Sequence, residues 1–418
     1  MEIKKFISII IIIANIGLLQ AQYSAIPDSC FEQHLIDLGI DTEGTLDSQV
    51  LTVDIVNVTS LTMNGYDYIN DIPYSCYIDN LQGIEAFTSL ETLDVSTNGI
   101  QYLDVSSLPN LKNLYCDDNF MQTLALPPSI EIVYARYNRF SQNIDFSQTI
   151  ELRELYIDGL FGSSNSHITT LDMNDCINLF KLSADDNNVE SVNVNNCPIL
   201  EYLSIGVSSG GTITLANFTH NNPNLKTLIL VGHLTSIDIS EMINLEYFLS
   251  IGNSFSNLNL TLNTNLNNVT ISYNSTLNNI DIRNNNNNLI NHFGTGNTPN
   301  LTCVYVDNSQ YSQNQTSWNI DNGTFVETEA ECDALATDNI YLENNIYIYP
   351  NPVKSILNIR TNNNEINKII IYNVLGKEVL KTNEATIDFS TFENGLYIIK
   401  IKTNNNNIIT KKIIKIGA

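Results

Sequence analysis

Basic residues are scarce in this sequence of 418 residues. Lys and Arg number 19 against 45 Asp and Glu, which gives a net charge of −26 at pH 7. Such an acidic chain opposes sequence-independent binding to nucleic acid phosphates or anionic lipid headgroups, and a nucleic-acid-binding role is excluded. Charged residues make up only 15% of the chain and hydrophobic residues 43%, so the chain folds. Its length predicts several structural units or one long repeat array.

Long apolar runs are missing after the first 21 residues, and we expect no transmembrane segment in the mature form. Residues 1–21 start with two lysines near the amino terminus, continue with an apolar run from Phe6 to Ile13 and end on Ala21. This order predicts a secretory signal peptide. A membrane anchor is the alternative, but Asn15 and Gln20 interrupt the stretch before it reaches spanning length.

Catalytic and metal-binding motifs are also sparse. None of the five histidines sits in an HExxH, CxxC or GxSxG setting. Residues 41–47 loosely resemble a calcium loop but lack its spaced oxygens and its final bidentate Glu. Carboxylate pairs are numerous, and in so acidic a chain we interpret them as solvated surface charge. We expect no enzyme, no metal site and no cofactor.

Charge divides the chain into two regions. Residues 22–345 carry a net charge of −32, whereas residues 346–418 carry +5. This difference predicts two domains of opposite charge.

A repeat of the form L-x-x-L-x-L-x-x-N occupies the acidic region. Its leading apolar residues are Leu90, Leu111, Ile130, Leu152, Leu179, Leu200, Leu225, Leu245 and Leu266. Each repeat predicts one coil of a solenoid, in which Leu93 and Val95 point inward while Thr92, Asp94 and Ser96 point outward. One asparagine recurs at the end of the strand and predicts a ladder: Asn98, Asn119, Asn138, Asn187, Asn253 and Asn274. Because no coil buries its apolar edge alone, stability must come from stacking.

The repeats resemble those of bacterial leucine-rich repeat proteins over residues 50–306. Residues 22–49 look like the short helical amino-terminal cap of secreted Bacteroidota members of that family, and residues 307–332 like the terminal cap. The apolar positions on one face of the predicted cap helix are Phe31, Leu35 and Leu38. The resemblance implies an α/β-type leucine-rich repeat solenoid with short strands in each coil and few helices.

Residues 346–418 show strands with two-residue alternation, which predict a small all-β Ig-like sandwich after a linker at residues 333–345. This module resembles the type A sorting domain of type IX secretion cargo. The residues that carry the resemblance are Tyr349, Pro350, Asn351, Pro352, Gly376, Gly395, Lys411 and Lys412. It implies the type IX secretion machinery as a partner, a route through the periplasm, and release or attachment at the outer cell surface. An ordinary Ig-like domain is the alternative.

Seven cysteines in an exported chain allow at most three disulfide bonds. A bond between Cys303 and Cys332 would close the carboxy-terminal cap, and one between Cys30 and Cys76 would join the amino-terminal cap to the first coil. The other three are predicted to be buried free thiols: Cys116, Cys176 and Cys197.

The outward strand positions of three successive coils carry tyrosines: Tyr115, Tyr134 and Tyr156. With strands about 4.8 Å apart, these rings would form a stacked strip that suits a carbohydrate or peptide ligand. Charged residues flank the strip, two positions further along these strands or the neighbouring ones: Asp117, Arg136, Asp158 and Asp185. Cross-strand packing that only stabilises the sheet is an equal alternative. Insertions at residues 159–167 and 206–211 lie at one corner of neighbouring coils. Insertions in repeat proteins often gather on the binding side, so these two also point to this side of the solenoid.

These observations predict a secreted or cell-surface leucine-rich repeat binding or adhesion protein, exported by type IX secretion, that recognises a protein or a glycan. The alternatives are a structural surface protein and a binding module associated with a hydrolase.

Overall fold

The computed structural model describes residues 22–67, 72–73, 76–159, 168–207, 222–232, 234–335, 346–361, 366–404 and 408–417. The predicted signal peptide, most of the predicted linker and all but the first residues of both insertions lie outside these described ranges. The chain divides into two compact units, Met1–Glu327 and Thr328–Ala418.

The first unit is a parallel β-solenoid built around a 12-stranded sheet, which we call the main sheet. Each coil contributes one short strand, because the L-x-L segment turns alternate side chains toward the core. In spatial order the strands are β3 (Ser60–Thr62), β6 (Thr92–Asp94), β8 (Asn113–Tyr115), β10 (Ile132–Tyr134), β11 (Glu154–Tyr156), β13 (Lys181–Asn187), β15 (Tyr202–Val207), β16 (Thr227–Val231), β17 (Tyr247–Ile251), β19 (Asn268–Ser272), β21 (His292–Gly296) and β23 (Trp318–Asn319). The predicted solenoid fold with few helices is confirmed.

A second row of short strands lies between the main-sheet strands in the sequence and forms three separate parallel sheets. They are β7 (Tyr102–Asp104) with β9 (Thr123–Ala125), β12 (Thr170–Asp172) with β14 (Ser191–Asn193), and the row β18 (Asn257–Asn259), β20 (Asn279–Asp281), β22 (Cys303–Tyr305) and β24 (Thr324–Val326). Apolar residues such as Leu103 and Val105 turn inward here as well. The coils that have a second strand therefore bury side chains from both of their strands.

The core of the solenoid is one continuous cluster of buried aliphatic and aromatic side chains. All nine leading residues of the repeats belong to it. Ser96, predicted to point outward, is only 9% exposed. The strand ends at Asp94 and the chain turns through Thr97 at φ 57°, so the alternation of the strand no longer applies to Ser96.

The asparagine ladder satisfies backbone groups inside the solenoid. Asn119, which is buried, donates from Nδ2 to the carbonyl oxygens of Val95 and Cys116 at 3.0 and 3.3 Å, and its Oδ1 accepts from the Ile100 backbone N–H at 3.1 Å. Asn138 repeats the pattern one coil later. Each of these asparagines thus connects neighbouring coils by hydrogen bonds to backbone N–H and carbonyl groups outside the strands.

The amino-terminal cap contains helix α1 (Ser29–Asp37), whose first turn is capped by Asp28. The Asp28 side chain accepts from the backbone N–H groups of Cys30 and Phe31 at 2.9 and 3.0 Å. Leu38, predicted to share the buried face, is instead 50% exposed. The helix ends at Asp37, and the chain turns at Gly39 with φ 68°, which carries Leu38 away from the core.

Short elements complete the first unit. They are β1 (Tyr23–Ala25) paired with β2 (Gln49–Leu51), helix α2 (Thr52–Ile55), β4 (Tyr66–Asp67) paired with β5 (Ile72–Pro73), the 3-10 turns Ile84–Ala86 and Asn287–Leu289, and helix α3 (Ser309–Gln313).

The disulfide bonds expected of an exported chain are present. Cys30 of α1 is bonded to Cys76, with 5.5 Å between the Cα atoms. Cys303 and Cys332 are also disulfide-bonded. The remaining cysteines are free and buried: Cys116, Cys176 and Cys197.

The second unit begins with helix α4 at residues 329–335. It then forms two antiparallel sheets around its own core, as expected of an Ig-like sandwich. One sheet contains β25 (Ile346–Tyr349), β26 (Ile356–Thr361) and β29 (Thr386–Asp388), and the other contains β28 (Glu378–Thr382), β27 (Ile366–Asn373), β30 (Gly395–Thr403) and β31 (Ile408–Lys415). The predicted all-β module is confirmed.

A candidate binding surface on the main sheet

The three predicted tyrosines form a strip across strands β8, β10 and β11. Strand pairing places Tyr134 directly beside Tyr115 on one side and Tyr156 on the other. The ring centroids are 5.3 Å apart in the first pair and 4.5 Å apart in the second. Burial raises the pKa of Tyr134 to about 12, so its hydroxyl stays protonated at neutral pH. We call these residues the tyrosine strip.

Arg136 is held beside the strip by Asp117. Its Nε and Nη2 donate to Asp117 Oδ2 at 3.1 and 2.6 Å, and its backbone N–H donates to Asp117 Oδ1 at 2.7 Å. The guanidinium carbon lies 5.2 Å from the Tyr134 ring centroid and 6.0 Å from that of Tyr156. The positive charge is therefore matched by a carboxylate and serves mainly to support the rings.

Asp158 and Asp185 lie on the next coils and carry negative charge. Asp158 Oδ1 accepts from the Ser183 hydroxyl at 2.6 Å and from the Asp185 backbone N–H at 2.9 Å. Asp185 Oδ2 accepts from the Ser204 hydroxyl at 2.6 Å, while its Oδ1 is buried with no hydrogen-bond partner in the described part of the chain. Burial, with smaller contributions from Asp158 and Asp186, raises the pKa of Asp185 to about 6.

This raised pKa predicts that Asp185 destabilises the protein at neutral pH. Between about pH 4 and 6 the folded protein holds a proton on Asp185 that the unfolded chain has lost, so stability falls as the pH rises through this window. A shift of about two units corresponds to about 2–3 kcal/mol. Asp185→Asn should therefore raise the melting temperature at pH 7.5 and leave it nearly unchanged at pH 4. Equal gains at both pH values would contradict the prediction.

Four aliphatic side chains further along the main sheet were missed by the sequence analysis. They are Ile229 and Val231 of β16 and Leu249 and Ile251 of β17, and strand pairing sets Ile229 beside Leu249 and Val231 beside Ile251. All four are partly exposed, and they alternate with core residues along each strand. We call them the aliphatic patch.

A signal for this patch was present in the sequence. The segments TLILV and YFLSI hold mostly apolar residues at both inward and outward positions, and such runs are typical of strands covered on both faces. Strands β13 and β15 separate the aliphatic patch from the tyrosine strip and carry Ser183, Asp185 and Ser204. The surface thus runs from aromatic through acidic to aliphatic groups.

In the second unit, the structure brings two of the sequence motifs together. Asn351 accepts at Oδ1 from the Ile414 backbone N–H at 2.9 Å, and its Nδ2 donates to the carbonyl oxygen of Lys412 at 2.8 Å. Tyr349 and Lys411 also line the cavity of about 340 Å³ that forms here. The Y-P-N-P motif, including Pro350 and Pro352, is thereby tied to the basic last strand.

Two glycines of the predicted sorting signal lie at turns elsewhere in this unit. Gly376 has φ 76° and donates to the Asn373 carbonyl oxygen at 2.9 Å, in the turn between β27 and β28. Gly395 has φ 154° at the start of β30. Both occupy backbone conformations that side chains disfavour.

Among the residues that the structure describes, no helix has the length and hydrophobicity to cross a membrane. The same residues contain no group of three or more His, Cys, Asp or Glu side chains placed to hold a metal ion.

Comparison with known proteins agrees with this architecture. The functional domain of InlJ from Listeria monocytogenes is 17% identical with a TM-score of 0.54, and the match covers 96% of this chain and all of that one. At this identity the likeness shows the fold alone. A leucine-rich repeat protein from Leptospira interrogans is 14% identical with a TM-score of 0.31, covering 66% of this chain and 88% of that one.

One curated relative is an ulvan lyase from Nonlabens ulvanivorans, 28% identical over 114 residues. The match covers 26% of this chain, which spans only 19% of the length of the lyase.

Residues 347–416 match the family described as the secretion system C-terminal sorting domain. The matched range includes the Y-P-N-P motif, both glycine turns and the basic last strand of the second unit. The protein is therefore a leucine-rich repeat solenoid that carries a C-terminal sorting domain and is exported by type IX secretion to the cell surface or the extracellular space.

Proposed function

We propose that the protein is a secreted or cell-surface binding protein whose main sheet holds an extracellular polypeptide. The observation that carries this proposal is that the tyrosine strip, the acidic residues and the aliphatic patch follow one another along the same face of the main sheet. Apolar side chains gathered in one place on a sheet face are typical of interaction sites. A glycan can stack its C–H face on the tyrosines, but it has no apolar side chains to cover Ile229 and Leu249, whereas a polypeptide supplies both kinds of contact.

The charges on this surface favour a basic ligand. Asp158, Asp185 and Asp186 lie close together, and their mutual repulsion contributes to the raised pKa values of Asp185 and Asp186. Two cations on the neighbouring coils are paired with other carboxylates, since Arg136 pairs with Asp117 and Lys181 lies 3.7 Å from Glu154. A Lys or Arg side chain of the ligand would relieve this repulsion. The ligand should therefore combine basic with apolar or aromatic side chains.

No activity is transferred from the ulvan lyase, because the shared segment is 19% of its length. A structural surface protein is the other alternative, and it differs in a measurable way. Such a protein would self-associate through its repeats, whereas a binding protein retains a saturable ligand as a monomer.

The ligand class is tested with random peptides displayed on phage and selected on the full chain. Selected peptides should be enriched in Lys and Arg beside Leu, Ile, Phe or Tyr. For one synthetic peptide, replacing Tyr115, Tyr134 and Tyr156 with Ala should weaken binding by one to three orders of magnitude, because each stacked contact contributes about 0.5–1.5 kcal/mol. Titration calorimetry measures the affinity.

Tyr311→Ala is the control, since this partly exposed tyrosine lies outside the main sheet. It should leave the affinity unchanged. If the triple variant binds as tightly as the parent, or its melting temperature falls in step with its affinity, the tyrosines support the sheet only. Selection of acidic or purely polar peptides would contradict the proposed ligand class.

A further inference from the structure

A cavity of about 520 Å³ opens beside the second row of strands, away from the residues of the candidate binding surface. It lies between the 3-10 turn Ile84–Ala86 and the strand pair β7 and β9. Leu81, Leu103 and Leu124 line it and are buried. This volume is within the range of small-ligand pockets in proteins. We call it the Tyr102 cavity.

The rim of the cavity is polar and held in place by the backbone. Glu85 Oε2 accepts from the Gly83 backbone N–H at 2.8 Å, and Asn80 Oδ1 accepts from the Gln82 backbone N–H at 2.9 Å. Asp104 Oδ1 accepts from the backbone N–H and hydroxyl of Ser106 at 3.0 and 2.6 Å. In each of these carboxylates and amides, the oxygen that accepts the hydrogen bond holds the side chain in place. The other polar atom of the same group is the one that a ligand would use.

Tyr102 supplies an exposed aromatic ring at the same cavity. Its side chain is 63% exposed, although it lies on a strand whose next residue, Leu103, is in the core. The hydroxyl makes a long hydrogen bond to Gln122 Oε1 at 3.4 Å. A ring exposed in this way offers a flat apolar face beside hydrogen-bonding groups.

We infer that the Tyr102 cavity binds a neutral oligosaccharide. One face of a hexose ring presents C–H groups that pack on an aromatic ring, while its hydroxyls both donate to carboxylates and accept from amides. Glu85 and Asp104 line the cavity, and no Lys or Arg of the described residues does so. Two carboxylates without a matching cation repel carboxylated or sulfated sugars, so the ligand is uncharged. This inference does not rest on the polypeptide proposed for the main sheet.

The experiment titrates the full chain with three neutral glucose trisaccharides that differ in linkage: cellotriose, laminaritriose and maltotriose. Trigalacturonic acid is the anionic comparison. At least one neutral trisaccharide should show saturable binding by calorimetry, and trigalacturonic acid should show none. Tyr102→Ala should weaken the neutral sugar about tenfold. Asp104→Asn should weaken it by a smaller factor and reduce the discrimination against the anionic sugar.

Tyr273→Ala is a matched control, because Tyr273 is 64% exposed and lies outside the lining of the cavity. It should bind the sugar as the parent does, and so should the triple tyrosine variant of the main sheet. Binding of none of the neutral trisaccharides overturns the inference, and so does unchanged binding by Tyr102→Ala. Preferred binding of trigalacturonic acid overturns the proposed class of sugar.

Discussion

Removal of residues 346–418 is expected to abolish the appearance of the protein outside a cell with type IX secretion. The deleted residues contain the whole hydrophobic core of the second unit, so the solenoid should still fold and should accumulate inside the cell envelope. Fractionation with antibody detection measures the distribution, and protease resistance of the retained protein shows that it is folded. We expect almost complete loss from the outer fractions.

A reporter protein fused to residues 346–418 provides the complementary test. Given a signal peptide, the fusion should appear outside the cell, while the same reporter without these residues should remain in the periplasm. Normal export of the truncated protein would show that the sorting information lies elsewhere in the chain.

Replacement of Asn119 by Ala is expected to lower the free energy of unfolding of the solenoid by about 2–3 kcal/mol. The change leaves the Ile100 N–H buried without its acceptor, and it removes one of the two amide donors to each of the Val95 and Cys116 carbonyl oxygens, which keep those of Asn98 and Asn138. Each buried group left without a partner costs about 1–3 kcal/mol. Urea unfolding followed by circular dichroism should show a lower midpoint.

Asn110→Ala is the matched control for this prediction. Asn110 is exposed, and its Nδ2 donates to the Thr88 carbonyl oxygen at 2.9 Å. Its loss should cost less than about 1 kcal/mol, since water replaces an exposed hydrogen bond. Equal effects of the two substitutions would mean that the asparagine ladder adds little to stability beyond ordinary surface contacts.

Local patterns in the sequence were sufficient to predict the architecture. The L-x-L alternation decides which side chains turn inward within one short strand, and it depends only on neighbouring residues. The recurring asparagine and the strand alternation after Ile346 are likewise local. The coil positions of Asn98 and Asn119, the few helices and the Ig-like module therefore followed from the sequence, whereas the exposure of Leu38 depended on where α1 ends.

The sequence also placed the tyrosines at equivalent offsets, and strand pairing sets them side by side. It did not reveal what surrounds them. The pairing of Arg136 with Asp117 joins two coils, and so does the hydrogen bond between Asp185 and Ser204 that accompanies its burial. Such contacts join residues about 20 positions apart, so they depend on the exact stacking of the coils.

Sequence alone was thus sufficient to predict an exported repeat solenoid with a sorting domain, because each of these features depends on a short contiguous segment. Only the tertiary structure decided which outward side chains from different coils meet. It brought Ile229 beside Leu249 and built the Tyr102 cavity from four consecutive coils. The physical reason is that a binding surface forms only when coils stack. Each coil contributes one or two of its residues, so no short segment of the sequence shows the surface.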